Sequence, residues 1–214
     1  MFVVKLISMR LGPALALALL LPAFAAWLGL AQPRIYILAV KECGSSWTDS
    51  GALAKEIGRI LEKEAGLKLE HKVINSIEEW GTLVEEGETD LIVINAHGEV
   101  MPIPTKYGND WESFYKRLAY LIKEKGWIFI NPVGYGFYYV GNTLSEDVGE
   151  EMYVGEVGLA TLTNALGFSA SAWPPGGNDE AKATEVGHKV IAALGLKLPD
   201  LISASRPITA DILP

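Results

Sequence analysis

The sequence contains a single cysteine, Cys43, among 214 residues. One cysteine cannot form an intramolecular disulfide, and it cannot supply the repeated cysteine ligands of a structural zinc site. The chain is therefore neither a disulfide-stabilised scaffold nor a multi-cysteine zinc protein. It also has no internal repeat and no low-complexity tract, and its length fits one domain of ordinary size.

Basic residues are scarce relative to acidic ones. The chain has 18 Lys and Arg against 26 Asp and Glu, which gives a formal net charge of −8. Without Lys5 and Arg10, which precede an apolar run, the balance is 16 against 26, a net charge of −10. Affinity for nucleic acid rests on Lys and Arg side chains that neutralise phosphates. The acidic balance therefore excludes nucleic acid as the expected partner.

Charge is missing altogether from residues 11–30, an apolar run that follows the short basic start. These are the parts of a secretory signal, with possible cleavage after Ala25 or after Ala31. The run also has the roughly 20 residues that a membrane-spanning helix needs. Residues 1–31 are therefore predicted to form a hydrophobic helix, either a signal peptide or a membrane anchor. If this segment is not cleaved, residues 11–30 are predicted to insert into the membrane. Either way, the body is predicted to lie outside the cytoplasm; a buried core helix is the other alternative.

Residues 32–214 are predicted to form one α/β domain. In the first two-thirds of the chain, apolar runs typical of strands alternate with segments of helical periodicity. Such alternation predicts parallel strands joined by right-handed crossover helices. Further on, the sequence predicts an acidic loop at 145–151, a helix near 154–166, a loop at 169–179, a helix near 181–194 and a short closing strand at 203–208.

Three stretches carry a resemblance to a known family: LIVINAHGE at the end of a strand, WIFINPVGYGFYY at a strand and turn, and GEVGLATLTNALG in a late helix. Together with the order of the elements, they resemble the class I glutamine amidotransferase-like superfamily. The resemblance implies a three-layer, flavodoxin-like domain with a mostly parallel sheet.

Active members of that superfamily carry a cysteine on a Gly-x-Cys-x-Gly elbow, completed by a His and a Glu near the C-terminus. Here the corresponding turn, residues 131–137, contains neither cysteine nor serine, and the sequence around His188 lacks the His-x-Glu pairing. The chain is similar to an archaeal-type member without the catalytic triad. The resemblance thus implies a non-catalytic domain that serves ligand binding or assembly.

The candidate site follows from the flavodoxin-like strand order. Ligands bind open α/β sheets beyond the carboxyl ends of the strands, where the strand order reverses, and in this order that point lies between the first and third strands. Cys43 is a candidate nucleophile there, His97 a candidate base and Glu99 its orienting group, as in a hydrolase or transferase. The alternative is that Cys43 is a buried loop residue and His97 a polar residue that caps a strand end.

Ligand binding is the second prediction for this edge of the sheet. The candidate ligand-binding residues are Ser45, Ser46, Trp47, Asn95, His97, Asn131 and Tyr135. The loop at 44–50 has the hydroxyl and backbone groups that bind phosphate at a helix start, so a flavin or nucleotide binder is a further alternative, although the same residues are ordinary helix caps.

No cofactor and no metal site are predicted. The three histidines, His71, His97 and His188, are far apart in sequence. The acidic residues at 145–151 lack the alternating oxygen ligands of a calcium loop, so they are expected to form a solvated loop.

Aromatic residues are concentrated in the predicted loops. This pattern favours either a carbohydrate-binding or protein-binding surface or the packing of loops onto the sheet. The residues concerned are Trp47, Tyr107, Trp111, Tyr135, Phe137, Tyr138, Tyr139, Tyr153 and Trp173.

Overall fold

Four parallel strands form the central sheet of the protein.

A computed structural model describes residues 34–43, 48–63, 70–132, 134–141, 151–172, 180–181, 202–203 and 208–212. The predicted hydrophobic helix in residues 1–31 and the helix near 181–194, apart from its first residue, lie outside the described residues.

The described elements follow one another as β1 (Arg34–Leu38), α1 (Ser50–Lys63), β2 (His71–Ile74), α2 (Ile77–Glu86), β3 (Leu91–Asn95), β4 (Val100–Pro102), a 3-10 turn (Thr105–Tyr107), α3 (Trp111–Glu124), β5 (Ile128–Ile130), β6 (Tyr139–Gly141), β7 (Glu151–Tyr153), α4 (Gly155–Leu166), β8 (Phe168–Ala172), β9 (Glu180–Ala181), β10 (Ile202–Ser203) and β11 (Ile208–Ile212). Among the helices in these ranges, none combines the length and the apolar character needed to cross a membrane.

The central sheet has the strand order β2-β1-β3-β5. β1 pairs in parallel with β2 on one side and with β3 on the other, and β3 pairs in parallel with β5. The order reverses between β1 and β3, which makes this pair the switch point of the sheet. The parallel sheet predicted from the alternation of strands and helices is confirmed, and its order is consistent with a flavodoxin-like fold.

Helices cover both faces of this sheet. On one face, Ile37 of β1 packs in a cluster with Ile57 of α1. On the other face, Leu38 shares a larger cluster with Trp80 of α2 and Phe114 of α3. All five residues of β3 are buried, as expected for a central strand with both faces covered.

Polar side chains cap the starts of two helices. Ser76 precedes α2, and its side chain accepts the backbone N–H of Glu79 at 3.2 Å. The N-cap of α3 is Asp110, whose Oδ1 accepts the N–H of Ser113 at 3.1 Å. Both bonds satisfy backbone donors that a helix start otherwise leaves open.

A second sheet was not predicted. It has the order β4-β6-β7, with β4 parallel to β6 and β6 antiparallel to β7. Each of these strands has only three residues, which is too short for alternation of apolar and polar residues to be visible in the sequence.

The predicted loop at 169–179 is wrong in its first four residues. Phe168–Ala172 is a strand, β8, which pairs antiparallel with β11 along its whole length. The prediction failed because the serines and alanines of β8 are small and carry no hydrophobic alternation. Of the closing strand predicted at 203–208, Ser203 lies in β10 and Ile208 begins β11, and residues 204–207 lie outside the described residues.

Candidate functional site

The carboxyl ends of β1 and β3 meet at the switch point, where two hydrogen bonds join their continuations. The N–H of Ala96 donates to the carbonyl oxygen of Leu38 at 2.9 Å, and the N–H of Val40 donates to Nε2 of His97 at 2.8 Å. The candidate Asn95 is the last residue of β3, and the candidates His97 and Glu99 follow it within this region.

Asn95 organises the turn that follows β3. Its Nδ2 lies 3.1 Å from the carbonyl oxygens of Gly98 and Val100, and 2.8 Å from Oδ1 of Asn131. Its Oδ1 accepts the backbone N–H of His97 at 3.0 Å. One buried amide therefore fixes a tight turn and ties the end of β3 to the end of β5.

His97 is fully buried at the centre of this arrangement. Burial penalises the charged imidazolium and lowers the pKa of His97 from 6.5 to about 4. The ring is therefore neutral at pH 7. Because Nε2 accepts the N–H of Val40, the neutral tautomer assigned by this bond carries its proton on Nδ1. The ring thus serves as a hydrogen-bond acceptor for the backbone of the β1 extension.

Glu99 joins the same turn to the segment after β5. Its Oε1 accepts the backbone N–H of Tyr135 at 3.1 Å, and the residue is 3% exposed. The close approach depends on Gly134, which has a φ of 69°. A Cβ at Gly134 would lie 2.2 Å from Cγ of Glu99, so position 134 admits only glycine.

Cys43 lies just beyond β1 but faces the second sheet. The residue is 5% exposed and belongs to the same core cluster as Val100 and Val140. Its sulfur occupies the space that Gly141 leaves open in β6, because a Cβ at Gly141 would lie 2.0 Å from Sγ. The thiol is therefore packed among core residues.

Some of the predicted site residues lie outside the described residues. These are the ligand-binding candidates Ser45, Ser46 and Trp47, and also Trp173 and His188. Within the part of the chain that the structure describes, no group of three or more His, Cys, Asp and Glu side chains is placed to hold a metal ion.

The aromatic residues of the predicted loops differ in burial. Those that are partly buried and pack against the core are Tyr107, Trp111 and Tyr139. Tyr135, Phe137 and Tyr138 are 0%, 1% and 5% exposed, so for these three the packing interpretation is correct. Tyr153 differs, since 65% of its surface is exposed. A surface aromatic residue is therefore present, but it lies at β7 and not at the switch point.

Sequence reasoning missed the glycines of the site. Gly134 and Gly141 lie among bulky residues, and an isolated glycine in such a run often marks a close approach of the backbone. That signal was available. Nothing in the sequence, however, pairs Gly141 with Cys43 or the N–H of Val40 with His97, because both contacts join residues that are distant along the chain.

The polar candidates at the switch point are engaged with one another and with the backbone. Asn95 and His97 are 0% exposed, Glu99 is 3% exposed and Asn131 is 5% exposed. A ligand must open the turns to reach them, so in this conformation the arrangement stabilises the edge of the sheet. The catalytic interpretation of Cys43, His97 and Glu99 stays a prediction.

No family model, curated protein or solved structure matches this chain. Functional inference therefore depends on the contacts of its own residues.

Acidification is expected to destabilise the fold through His97. Its folded-state pKa is about 4, whereas an unfolded histidine titrates at about 6.5, so the unfolded chain binds the extra proton between these values. The stability contributed by neutral His97 is fully present above pH 6.5 and is lost as the pH falls towards 4, by about 3 kcal/mol in total. We expect His97→Gln to flatten the pH dependence of the free energy of unfolding across this window, as measured by urea denaturation.

Thr163→Val is the matched control for this experiment. Thr163 is a buried polar residue without a titratable group, and among the described residues its Oγ1 has no hydrogen-bond partner. The control is expected to keep the wild-type slope with pH. The same slope in His97→Gln and in wild type would contradict the role given to His97.

The contact between Cys43 and Gly141 predicts a strong coupling in a double-mutant cycle. Gly141→Ala forces a Cβ against Sγ and is expected to cost about 1–3 kcal/mol of stability, as overpacked cores do. Cys43→Ala removes the sulfur, so the double variant is expected to regain most of that loss. Urea denaturation of the four proteins measures the coupling, and additive effects would show that the sulfur is not packed against Gly141.

Proposed function

We propose that this chain is a non-catalytic, amidotransferase-like domain that serves ligand binding or assembly. The parallel sheet with its β2-β1-β3-β5 order supports this assignment, and so does the resemblance carried by the strand and turn sequences. The segment where active relatives place the nucleophile, residues 131–137, has no cysteine or serine. The chain thus combines the expected architecture with a turn that cannot form an acyl-enzyme.

One observation carries the proposal: Nε2 of buried His97 accepts the backbone N–H of Val40 at 2.8 Å. A general base needs a nitrogen lone pair directed at the proton it removes. In His97 the lone pair of Nε2 is directed at a backbone donor, and Nδ1 of the neutral ring carries the proton. The lone pair of the imidazole is therefore already used in a structural hydrogen bond, which argues against its use as the base for a thiol.

A hydrolase or transferase that uses Cys43 and His97 is the competing hypothesis. It is favoured by one observation: Cys43 and His97 both follow strands that meet at the switch point. The burial of the thiol in the core cluster is the opposing observation, since reactive cysteines are partly exposed in electropositive surroundings. Flavin or nucleotide binding rests on residues 44–50 and stays a further prediction.

The reactivity of the Cys43 thiol distinguishes the two hypotheses. In the non-catalytic protein, iodoacetamide is expected to alkylate Cys43 at least about ten times more slowly in the native chain than in urea, because the folded core excludes the reagent. Ammonia release from glutamine, the reaction of active superfamily members, is expected to be the same for wild type and Cys43→Ala. Labelling at pH 6 that is faster in the native chain than in urea, and slowed by His97→Gln, would overturn the proposal. Turnover that is lost in Cys43→Ala would overturn it as well.

We also propose that the body acts outside the cytoplasm, either secreted or held at a membrane through residues 11–30. The support is the uncharged run of 20 residues after a basic start, which suits export or anchoring. The acidic body that follows is then an ectodomain.

A topology reporter tests this location. Alkaline phosphatase fused after Pro214 is expected to be active, because that enzyme needs disulfides that form only in an oxidising compartment outside the cytoplasm. The matched control is the same fusion that begins at Gln32, which is expected to be inactive. Equal activity of the two fusions would contradict a role for residues 1–31 in export.

A further inference from the structure

β7 forms the outer edge of the second sheet. In the order β4-β6-β7, this strand pairs with β6 on one side only. Among the described residues, no other strand pairs with its second side. An open strand edge presents backbone N–H and C=O groups that can accept a further strand.

The register identifies which backbone groups face outwards. The N–H of Tyr139 donates to the carbonyl oxygen of Glu99, on the β4 side of β6, at 3.2 Å. Tyr139 lies opposite Tyr153, so this antiparallel pair is one of the non-hydrogen-bonded pairs. It follows that the N–H and C=O of Tyr153 point away from β6, towards the open edge.

The side chain of Tyr153 is exposed and yet held in place. Its ring centroid lies 5.4 Å from that of Tyr139 and 6.1 Å from that of Tyr138. It also covers Gly155, since a Cβ at that position would lie 2.5 Å from the Tyr153 hydroxyl. With 65% of its surface still exposed, Tyr153 offers a large contact area at a low cost in side-chain entropy.

Other exposed apolar side chains accompany Tyr153. Met152 of β7 is 42% exposed, and Val157 in the first turn of α4 is 63% exposed. Of the four large apolar side chains that are exposed among the described residues, three lie between positions 152 and 157. Met152 and Tyr153 are consecutive in β7, so their side chains lie on opposite faces of the sheet, on either side of the open edge. We call Met152, Tyr153 and Val157 the β7 surface.

The charge of the surrounding sequence indicates what the β7 surface binds. Residues 126–181 contain seven acidic residues and no lysine, arginine or histidine. A second copy of the chain, or any acidic partner, would bring like charges together, which is unfavourable. A segment that carries lysine or arginine matches the charge of this region.

We propose that the β7 surface binds an extended, basic segment of a partner protein, which adds a strand to the open edge of β7. Its backbone pairs with the outward groups of Tyr153, its apolar side chains contact the β7 surface, and its positive charge complements the net charge of −8 of this chain. The inference names the partner chemistry for the binding role proposed above and rests on that role.

Peptide binding to the full-length chain, kept soluble in a mild non-ionic detergent, tests the proposal. The probe is a fluorescein-labelled peptide of alternating lysine and valine, about eight residues long, which suits a single strand. Fluorescence anisotropy is expected to show saturable binding that weakens with added salt. The same peptide with glutamate in place of lysine is expected not to bind.

Two variants locate the binding. Tyr153→Ser removes an exposed ring and is expected to weaken binding by about tenfold or more. Val157→Lys, which adds a like charge at an exposed helix position, is expected to weaken it as well and guards against misfolding of the first variant. The matched control is Tyr120→Ser, since Tyr120 of α3 is also exposed, at 43%, and its loss is expected to leave binding unchanged.

Several outcomes would overturn the proposal. The proposal is contradicted if the lysine peptide fails to bind, if the glutamate peptide binds equally well, or if Tyr153→Ser and Val157→Lys bind as tightly as wild type. A dimer in sedimentation that Tyr153→Ser abolishes would instead assign the surface to self-association. Neither the peptide nor Tyr153 involves Cys43. Failure here is therefore distinct from failure of the non-catalytic assignment, which the labelling and turnover of Cys43 would reveal.

Discussion

The side-chain amide of Asn95 is the interaction on which the switch point depends. A buried amide must find partners for its polar atoms, and Asn95 finds them in two carbonyl oxygens, one backbone N–H and the side chain of Asn131. The hydrogen bonds of this amide fix the turn that carries His97 and hold the end of β5 in place. An apolar residue at this position would leave several backbone groups without their partners, and the turns that close the edge would lose their common support.

This closure explains why Asn95, His97, Glu99 and Asn131, the described polar candidates at the switch point, are not open to a ligand in this conformation. Of the side chains selected from the sequence, the structure brings those of Asn95, His97, Glu99 and Asn131 to this edge of the sheet. Their atoms, however, are directed at the backbone of neighbouring turns. Most of the large exposed apolar side chains among the described residues lie elsewhere, in β7 and just after it, where Tyr153 is exposed next to an open strand edge.

The central sheet was predictable because each of its parts leaves a local signal. β3 is a continuous apolar run, Ser76 caps a helix, and strands alternate with helices over the first two-thirds of the chain. The second sheet left no such signal. Its three-residue strands depend on pairing between distant segments, and β8 is made of serines and alanines that become a strand only because β11 lies beside them. The site followed the same rule: its location came from topology, whereas the partner of each polar atom depended on contacts that local sequence does not encode.

The bond between Val40 and His97 has one more consequence. β1 ends at Leu38, but the imidazole of His97 accepts the N–H of Val40, two residues further on. A side chain thus adds one hydrogen bond to those that hold β1 in the sheet. Hydrogen bonds between backbone groups do not depend on pH, whereas this bond exists only while the ring of His97 is neutral. The length over which β1 is hydrogen-bonded therefore depends on the protonation state of His97. A proton that reached His97 would shorten the strand.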